Sequence, residues 1–228
     1  MTESTATDAL PPPGSTERTI IRRLAEKTVN DRATAYAILD AGFVAHLAVV
    51  DDEGQPYVVP VGYARDGDRV LFHGSTGSRL FRGLAAGQRT CLTVTLLEGM
   101  VLARSTFESS MHYRGVMVLG VSAVLEGADK DHALEVITEH LLPGRWSEAR
   151  HPNKKELAAT LVLSLPLDEI SVKVADGPPD DEEDDISRPI WAGVVPLRES
   201  FGEPIPAPDL VEPFPVPDYV KTWRRPTS

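Results

Sequence analysis

The residues best equipped for chemistry run from His73 to Arg79, in the order His-Gly-Ser-Thr-Gly-Ser-Arg. Gly74 and Gly77 let a backbone come close to a bound anion. Ser75 and Ser78 bring hydroxyls, Ser78 also standing where a helix cap would, and Arg79 supplies a charge-assisted contact suited to phosphate. Free amides at the start of a following helix would add to such a site. An ordinary polar turn with a capped helix satisfies the same letters. A P-loop is excluded, because no Gly-Lys-Ser/Thr ending follows. A second segment, Ser105 to Val116, sets Tyr113 and Arg114 just inside a β-capable run. Alone, a strand arginine is an exposed residue; beside Ser78 and Arg79 it is a second guanidinium for a phosphate or carboxylate.

Other chemistries lack their residues. Histidines 46, 73, 112, 132, 140 and 151 form no close pair at metal-ligand spacing, and no His-Glu-x-x-His occurs, so no metal site is expected. His132 and His140 share a helix eight residues apart and read as surface residues. No Gly-x-Ser-x-Gly elbow and no Gly-x-Gly-x-x-Gly fingerprint are present, against a serine hydrolase and a Rossmann domain. The single cysteine, Cys91, excludes an intrachain disulfide and lies in the run Thr-Cys-Leu-Thr-Val, where a buried strand residue is expected. No residue stands out as a catalytic acid or base.

The elements around these residues alternate in character. Asp31 caps a helix carried by Ala35, Ile38 and Leu39 and ended by Gly42. Strands are expected at Phe43–Val50, Pro56–Ala64 and Arg69–His73, separated by Asp-Asp-Glu-Gly and Arg-Asp-Gly-Asp turns. Leu80 to Ala86 has the spacing of one short amphipathic helix. Thr90–Leu97 and Met100–Thr106 flank Glu98-Gly99, which predicts a hairpin there. Tyr113–Glu126 is one long β-capable run, with Gly115 and Gly120 as bends or bulges. Asp129 caps a helix over Ala133, Leu134, Ile137 and Leu141, and Asn153 caps a shorter one. Strands return at Leu161–Leu167, Ile170–Val174 and Ile190–Val195. The acidic run Asp180–Asp185 reads as a solvated loop. The architecture is mainly β with some α, an antiparallel sheet closing on itself with short flanking helices.

The chain has 228 residues, 42% hydrophobic and 25% charged, ordinary for a globular protein. Residues 1–16 are too polar to order and form a tail, 17–197 make one domain, and 198–228 form a proline-rich tail lying extended on the surface. The formal charge of -11 argues against nucleic acid as a partner, since phosphate backbones select basic faces. No signal peptide and no membrane-length apolar run is visible, so the expected compartment is the cytoplasm.

Five segments in this order resemble the pyridoxamine 5'-phosphate oxidase-related split-barrel proteins, in particular the nitroimidazole-reductase-like branch. They are Gln55–Pro60, Leu71–Arg79, Ser110–Val116, Pro143–Trp146 and Trp191–Val194. The resemblance implies a six-stranded antiparallel Greek-key split β-barrel, paired as a homodimer with FMN at the subunit interface. It sets Val58, Val59, Pro60 and Val61 along the flavin ring, with His73, Gly74 and Ser75 lining it. Ser78 and Arg79 would hold the FMN phosphate, and Tyr113 and Arg114 would approach from the other subunit. Trp191 is a further ring contact, or else a core anchor. Where the branch has a histidine and a serine, this chain has Ser109 and Gly115. The implied activity is that of a flavin-dependent oxidoreductase, passing hydride from NADH or NADPH to a small-molecule substrate. FAD, haem or a deazaflavin in place of FMN, and a non-catalytic carrier or sensor, are the alternatives.

Overall fold

Asp31 starts the first ordered helix, α1 (Arg32–Ala41), by accepting the Ala33 and Thr34 amides on its carboxylate, and the Gly42 amide closes the other end. The computed structural model describes residues 10–211 and 214–223. After α1 come β1 (Val44–Val50), β2 (Pro56–Asp66), β3 (Arg69–Ser75), α2 (Arg79–Ala85), β4 (Arg89–Leu102), β5 (Ser110–Val121) and β6 (Ala123–Val124). Then follow α3 (Gly127–Leu141), α4 (Arg145–Glu148), α5 (Lys154–Ala158), β7 (Thr160–Pro166), β8 (Glu169–Ala175), α6 (Glu183–Ile186), β9 (Gly193–Pro196) and α7 (Asp218–Lys221).

All strand pairs are antiparallel, and the sheet runs β6-β7-β3-β2-β1-β4-β5-β8 with β9 added on β4. The order β4-β1-β2-β3 is a Greek key: three consecutive strands, then a fourth that returns through α2 to lie beside the first. The described residues hold nine strands rather than the six expected. Six units still make the ring, because β6 continues β5 past Ser122 and pairs with β7, closing β1, β2, β3, β7, β5–β6 and β4 on one another. β8 and β9 are additions along free edges.

Alternation fills the ring. In β1, Ala45, Leu47 and Val49 point inward and are buried, while Val44, His46 and Val50 face out. Leu47, Tyr63, Phe72, Leu92, Val94, Leu163 and Leu165 fill the interior, and α1 plugs one end with Ile38 and Leu39. A second core lies outside the barrel, where Ala133, Leu134 and Ile137 of α3 cover Ala64, Leu71 and Val162.

Four expectations change. Glu98-Gly99 is not a turn: β4 runs straight through, the register slipping between Leu97 and Gly99, and the chain reverses between Leu102 and Ser110. Gly99 is there because β9 crosses it; an added Cβ would lie 2.9 Å from the Val195 carbonyl oxygen. The acidic run is not wholly solvated. Asp181 has a side chain only 3% exposed, bonded to the Arg104 guanidinium at 2.7 Å. Of the expected N-terminal tail, residues 1–9 lie outside the described residues, whereas Pro13 is buried and the Gly14 amide donates to the Ile170 carbonyl at 2.7 Å. Among its described residues the proline-rich tail forms α7, whose Tyr219 packs on Gly144.

Candidate functional site

The barrel splits where β2 changes partners. Its first half, Pro56–Gly62, pairs with β1, and Tyr63–Asp66 pairs with β3. Beyond the Tyr63–Phe72 pair the two strands part. β3 continues through His73, Gly74 and Ser75, held on its other edge by β7. A free backbone edge therefore faces the opening, with the expected Val58–Val61 segment on the opposite bank. Only Val58 and Pro60 are exposed there, whereas Val59 and Val61 pack against the core. Two of these four residues, not all, can meet a ligand with their side chains on the outward face.

The floor of the opening depends on a missing side chain. A Cβ on Gly74 would lie 2.3 Å from the Phe81 ring, so only glycine lets α2 sit this close to β3. Phe81 then packs edge-on against Phe72, their centroids 6.2 Å apart. The turn is fastened locally: Ser75 Oγ accepts the Gly77 amide at 3.1 Å, and Ser78 Oγ accepts the Phe81 amide at 3.4 Å as the cap of α2. The Thr76 amide is used by the Ala159 carbonyl of the α5–β7 connection.

Arg79 stands over this turn. Its side chain is 72% exposed, its nearest nitrogen 3.8 Å from Asp51 Oδ2, and its guanidinium 5.2 Å from the Tyr57 ring centroid. An ion pair so long and wet holds little. The guanidinium is kept near the turn and remains available to an anion. Asp51 and Tyr57 are neighbours that sequence reasoning missed, since Asp51 read only as a turn residue.

His73 reaches solvent, yet the surrounding protein strips enough water from the ring to lower its pKa, leaving a neutral imidazole at pH 7. Four other histidines are engaged. His112, His140 and His151 bond the carbonyls of Gly177, Gly42 and Trp146, and His132 stands 3.5 Å from Asp66. His46 and His73 have no hydrogen-bond partner among the described residues. Cys91 is half-buried on the outward face of β4, and burial raises its thiol pKa.

The remaining expected residues lie elsewhere. Tyr113 and Arg114 are successive residues of β5, so their side chains leave opposite faces of the sheet. Arg114 is neutralised by Glu98, with Nε and Nη2 both 2.7 Å from Oε1. Trp191 is 65% exposed and rests on Gly193 at the head of β9. Within one chain neither group joins the opening between β2 and β3.

The profile of the pyridoxamine 5'-phosphate oxidase family matches residues 31–174, which run from the cap of α1 almost to the end of β8. The chain belongs to this family. Among solved structures, it is 42% identical to the FAD and haem binding protein from Mycobacterium smegmatis, over 86% of this chain and 96% of that one, with a TM-score of 0.82. It is 39% identical to the flavocytochrome Anf3 from Azotobacter vinelandii, over 94% of this chain and 99% of that one, with a TM-score of 0.87. A structure described as a 5-nitroimidazole antibiotic resistance protein from Bacteroides thetaiotaomicron shares the fold at 23% identity, TM-score 0.55, over 64% of this chain and 86% of that one. No curated protein matches the chain. The first two likenesses extend well past residue 174, so most of the C-terminal stretch belongs to the shared fold. No helix among the described residues is long and apolar enough to cross a membrane.

Proposed function

We propose that this protein binds a flavin at the opening between β2 and β3 together with a haem, and passes electrons from a nicotinamide donor to a small-molecule acceptor. The observation that carries this is likeness along nearly the whole chain to two proteins named for FAD and haem or as a flavocytochrome. The FMN expected from the sequence narrows to the riboflavin-phosphate part that FMN and FAD share, and FAD is the form we favour. Ser78, Arg79 and the Gly74–Gly77 backbone would hold the phosphate. Val58 and Pro60 would border the ring.

The residues present also fit a haem. Iron takes a neutral imidazole with a free ring nitrogen, and His73 has both the lowered pKa and, among the described residues, no hydrogen bond to give up. His73 would hold the haem iron, in place of the flavin-lining role the resemblance implied. When bound, the flavin supplies two-electron chemistry and the haem one-electron chemistry. The chain's own part is to bind, orient and exclude water. A symmetric homodimer completes the reading, each copy bringing Tyr113 and Trp191 to the other.

The absorbance spectrum of the purified protein tests this. Flavin bands plus a Soret band are expected, with FAD released on denaturation and bleaching of the flavin by NADH or NADPH under argon. Flavin alone, released as FMN, would return the reading to an FMN reductase. A colourless protein that takes up neither group would end it.

A further inference from the structure

The turn that joins β1 to β2 carries a carboxylate that the backbone holds in place. Asp51 Oδ1 accepts the amides of Glu53 and Gln55, at 3.0 and 2.9 Å. The Asp51 amide donates to the Gln55 carbonyl and its carbonyl accepts the Gly54 amide, both at 3.0 Å. Gly54 permits this closure with a φ of +83°. The other carboxylate oxygen, Oδ2, faces Arg79 and stands 3.8 Å from its nearest nitrogen.

The two partners differ in freedom. The Asp51 side chain is 19% exposed and fixed by its turn, whereas Arg79 is 72% exposed on a flexible stem. Tyr57 packs on the barrel core and holds its ring centroid 5.2 Å from the guanidinium. With the ring on one side and Asp51 on another, an anion reaches Arg79 from solvent. It then lies within about a Debye length, roughly 8 Å, of the Asp51 carboxylate. Asp52 and Glu53, both exposed, continue the acidic turn, and Arg82 is the next cation along α2. At 3.8 Å in water Asp51 holds the arginine weakly, so its charge acts mainly on what the arginine binds.

We propose that Asp51 selects the flavin by the charge of its phosphate, opposing a doubly charged monoester, as in FMN, more than a singly charged phosphodiester, the linkage found in FAD. The inference rests on the flavin site of the preceding section, with Arg79 as its phosphate contact. A phosphate monoester carries close to two charges at pH 7, and a phosphodiester carries one. Arg79 can move towards either anion, but the carboxylate cannot retreat. Its repulsion is therefore retained and is about twice as large for the monoester. Over a distance of this order in a wet site it amounts to roughly a threefold loss of affinity per ligand charge.

The adenylate of FAD brings contacts and a charge of its own, so the test uses ligands that lack it. Calorimetry on the full chain, stripped of flavin by dialysis, compares riboflavin, riboflavin cyclic 4',5'-phosphate and FMN, with no charge, one charge and nearly two. Asp51→Asn keeps an oxygen for the two turn amides and removes only the charge. It should tighten FMN about tenfold and the cyclic phosphate about threefold, leaving riboflavin and denaturant stability unchanged. In about 1 M salt, where the Debye length is roughly 3 Å, the pattern should fade. Weaker FMN binding would make Asp51 the holder of Arg79 and overturn the proposal. An equal shift for all three ligands, the mark of a distorted turn, would overturn it too. Arg79→Ala on the same ligands keeps two failures apart. If it weakens FMN and the cyclic phosphate while Asp51→Asn changes neither, the selection fails and the flavin site stands. If Arg79→Ala leaves both unchanged as well, the phosphate is held elsewhere and both readings fall.

Discussion

The turn after β3 and the far end of β4 and β5 are built on different principles. At the turn, most of the fastening is local: Ser75 and Ser78 satisfy amides two and three residues on, and Gly74 leaves room for a ring seven residues away, with the Thr76 amide bonded to the remote Ala159 carbonyl. At the far end, local bonds of Ser105 and Ser109 are joined by contacts from segments remote in sequence. Arg104 holds Asp181 across 77 residues, and β9 crosses Gly99. The turn leaves its arginine largely exposed, with a long contact to Asp51 and the Tyr57 ring beside it. A remotely fastened end uses its arginines to hold the chain together.

The sharpest way to break this contrast is Gly74→Val. Its side chain would drive into Phe81, and because the ring is wedged between β3 and α2, we expect a loss of roughly 3 kcal/mol in denaturant unfolding and no retained flavin. A stable, yellow variant would show that the turn tolerates what its geometry forbids. At the other end, Asp181→Ala removes the partner of a largely covered guanidinium whose Nε already lacks a bond. The expected cost is about 2–3 kcal/mol, with flavin content unchanged. Equal stability would return the acidic run to the solvated loop it resembled.

Arg79→Ala should do the reverse of Asp181→Ala. The side chain is too exposed to matter for folding, and losing one charge-assisted phosphate contact weakens a flavin nucleotide roughly ten- to hundredfold while riboflavin is little affected. Calorimetry with both ligands reads the difference; equal losses would place Arg79 on the ring instead. The smallest effect concerns His73. Its pKa is lowered in the folded state, so below its ordinary value near 6.5 the unfolded chain binds the additional proton. Stability of the cofactor-free protein should be full above that pH and decline as pH falls towards the folded pKa. His73→Gln should flatten this slope, measured by unfolding from pH 7.5 down to 5.

The local end was largely legible. Asp31 and Asn153 cap the helices they precede, Asn153 with a full capping box through Glu156. Ser78 caps α2 as its position required. Errors cluster where a remote segment intervenes. Glu98-Gly99 has the composition of a turn, yet β9 pairs along the same edge and keeps the strand running. The α3 helix begins at Gly127, two residues before the expected Asp129 cap, and its Glu126 cap position makes no side-chain bond. No side-chain cap marks that start, and α3 is held further along, where Ala133, Leu134 and Ile137 pack on Ala64 and Leu71.

By itself the sequence determined the alternation that fills the barrel, the caps, and the small-residue turn with its arginine, because each depends on residues within one or two turns of chain. Tertiary structure alone decided that β2 exchanges β1 for β3 and opens the barrel, that Arg114 is already paired with Glu98, and that the C-terminal stretch returns to Phe43. Those outcomes depend on which distant backbones and charges meet, and a free energy of contact between remote segments leaves no mark in the spacing of neighbouring residues.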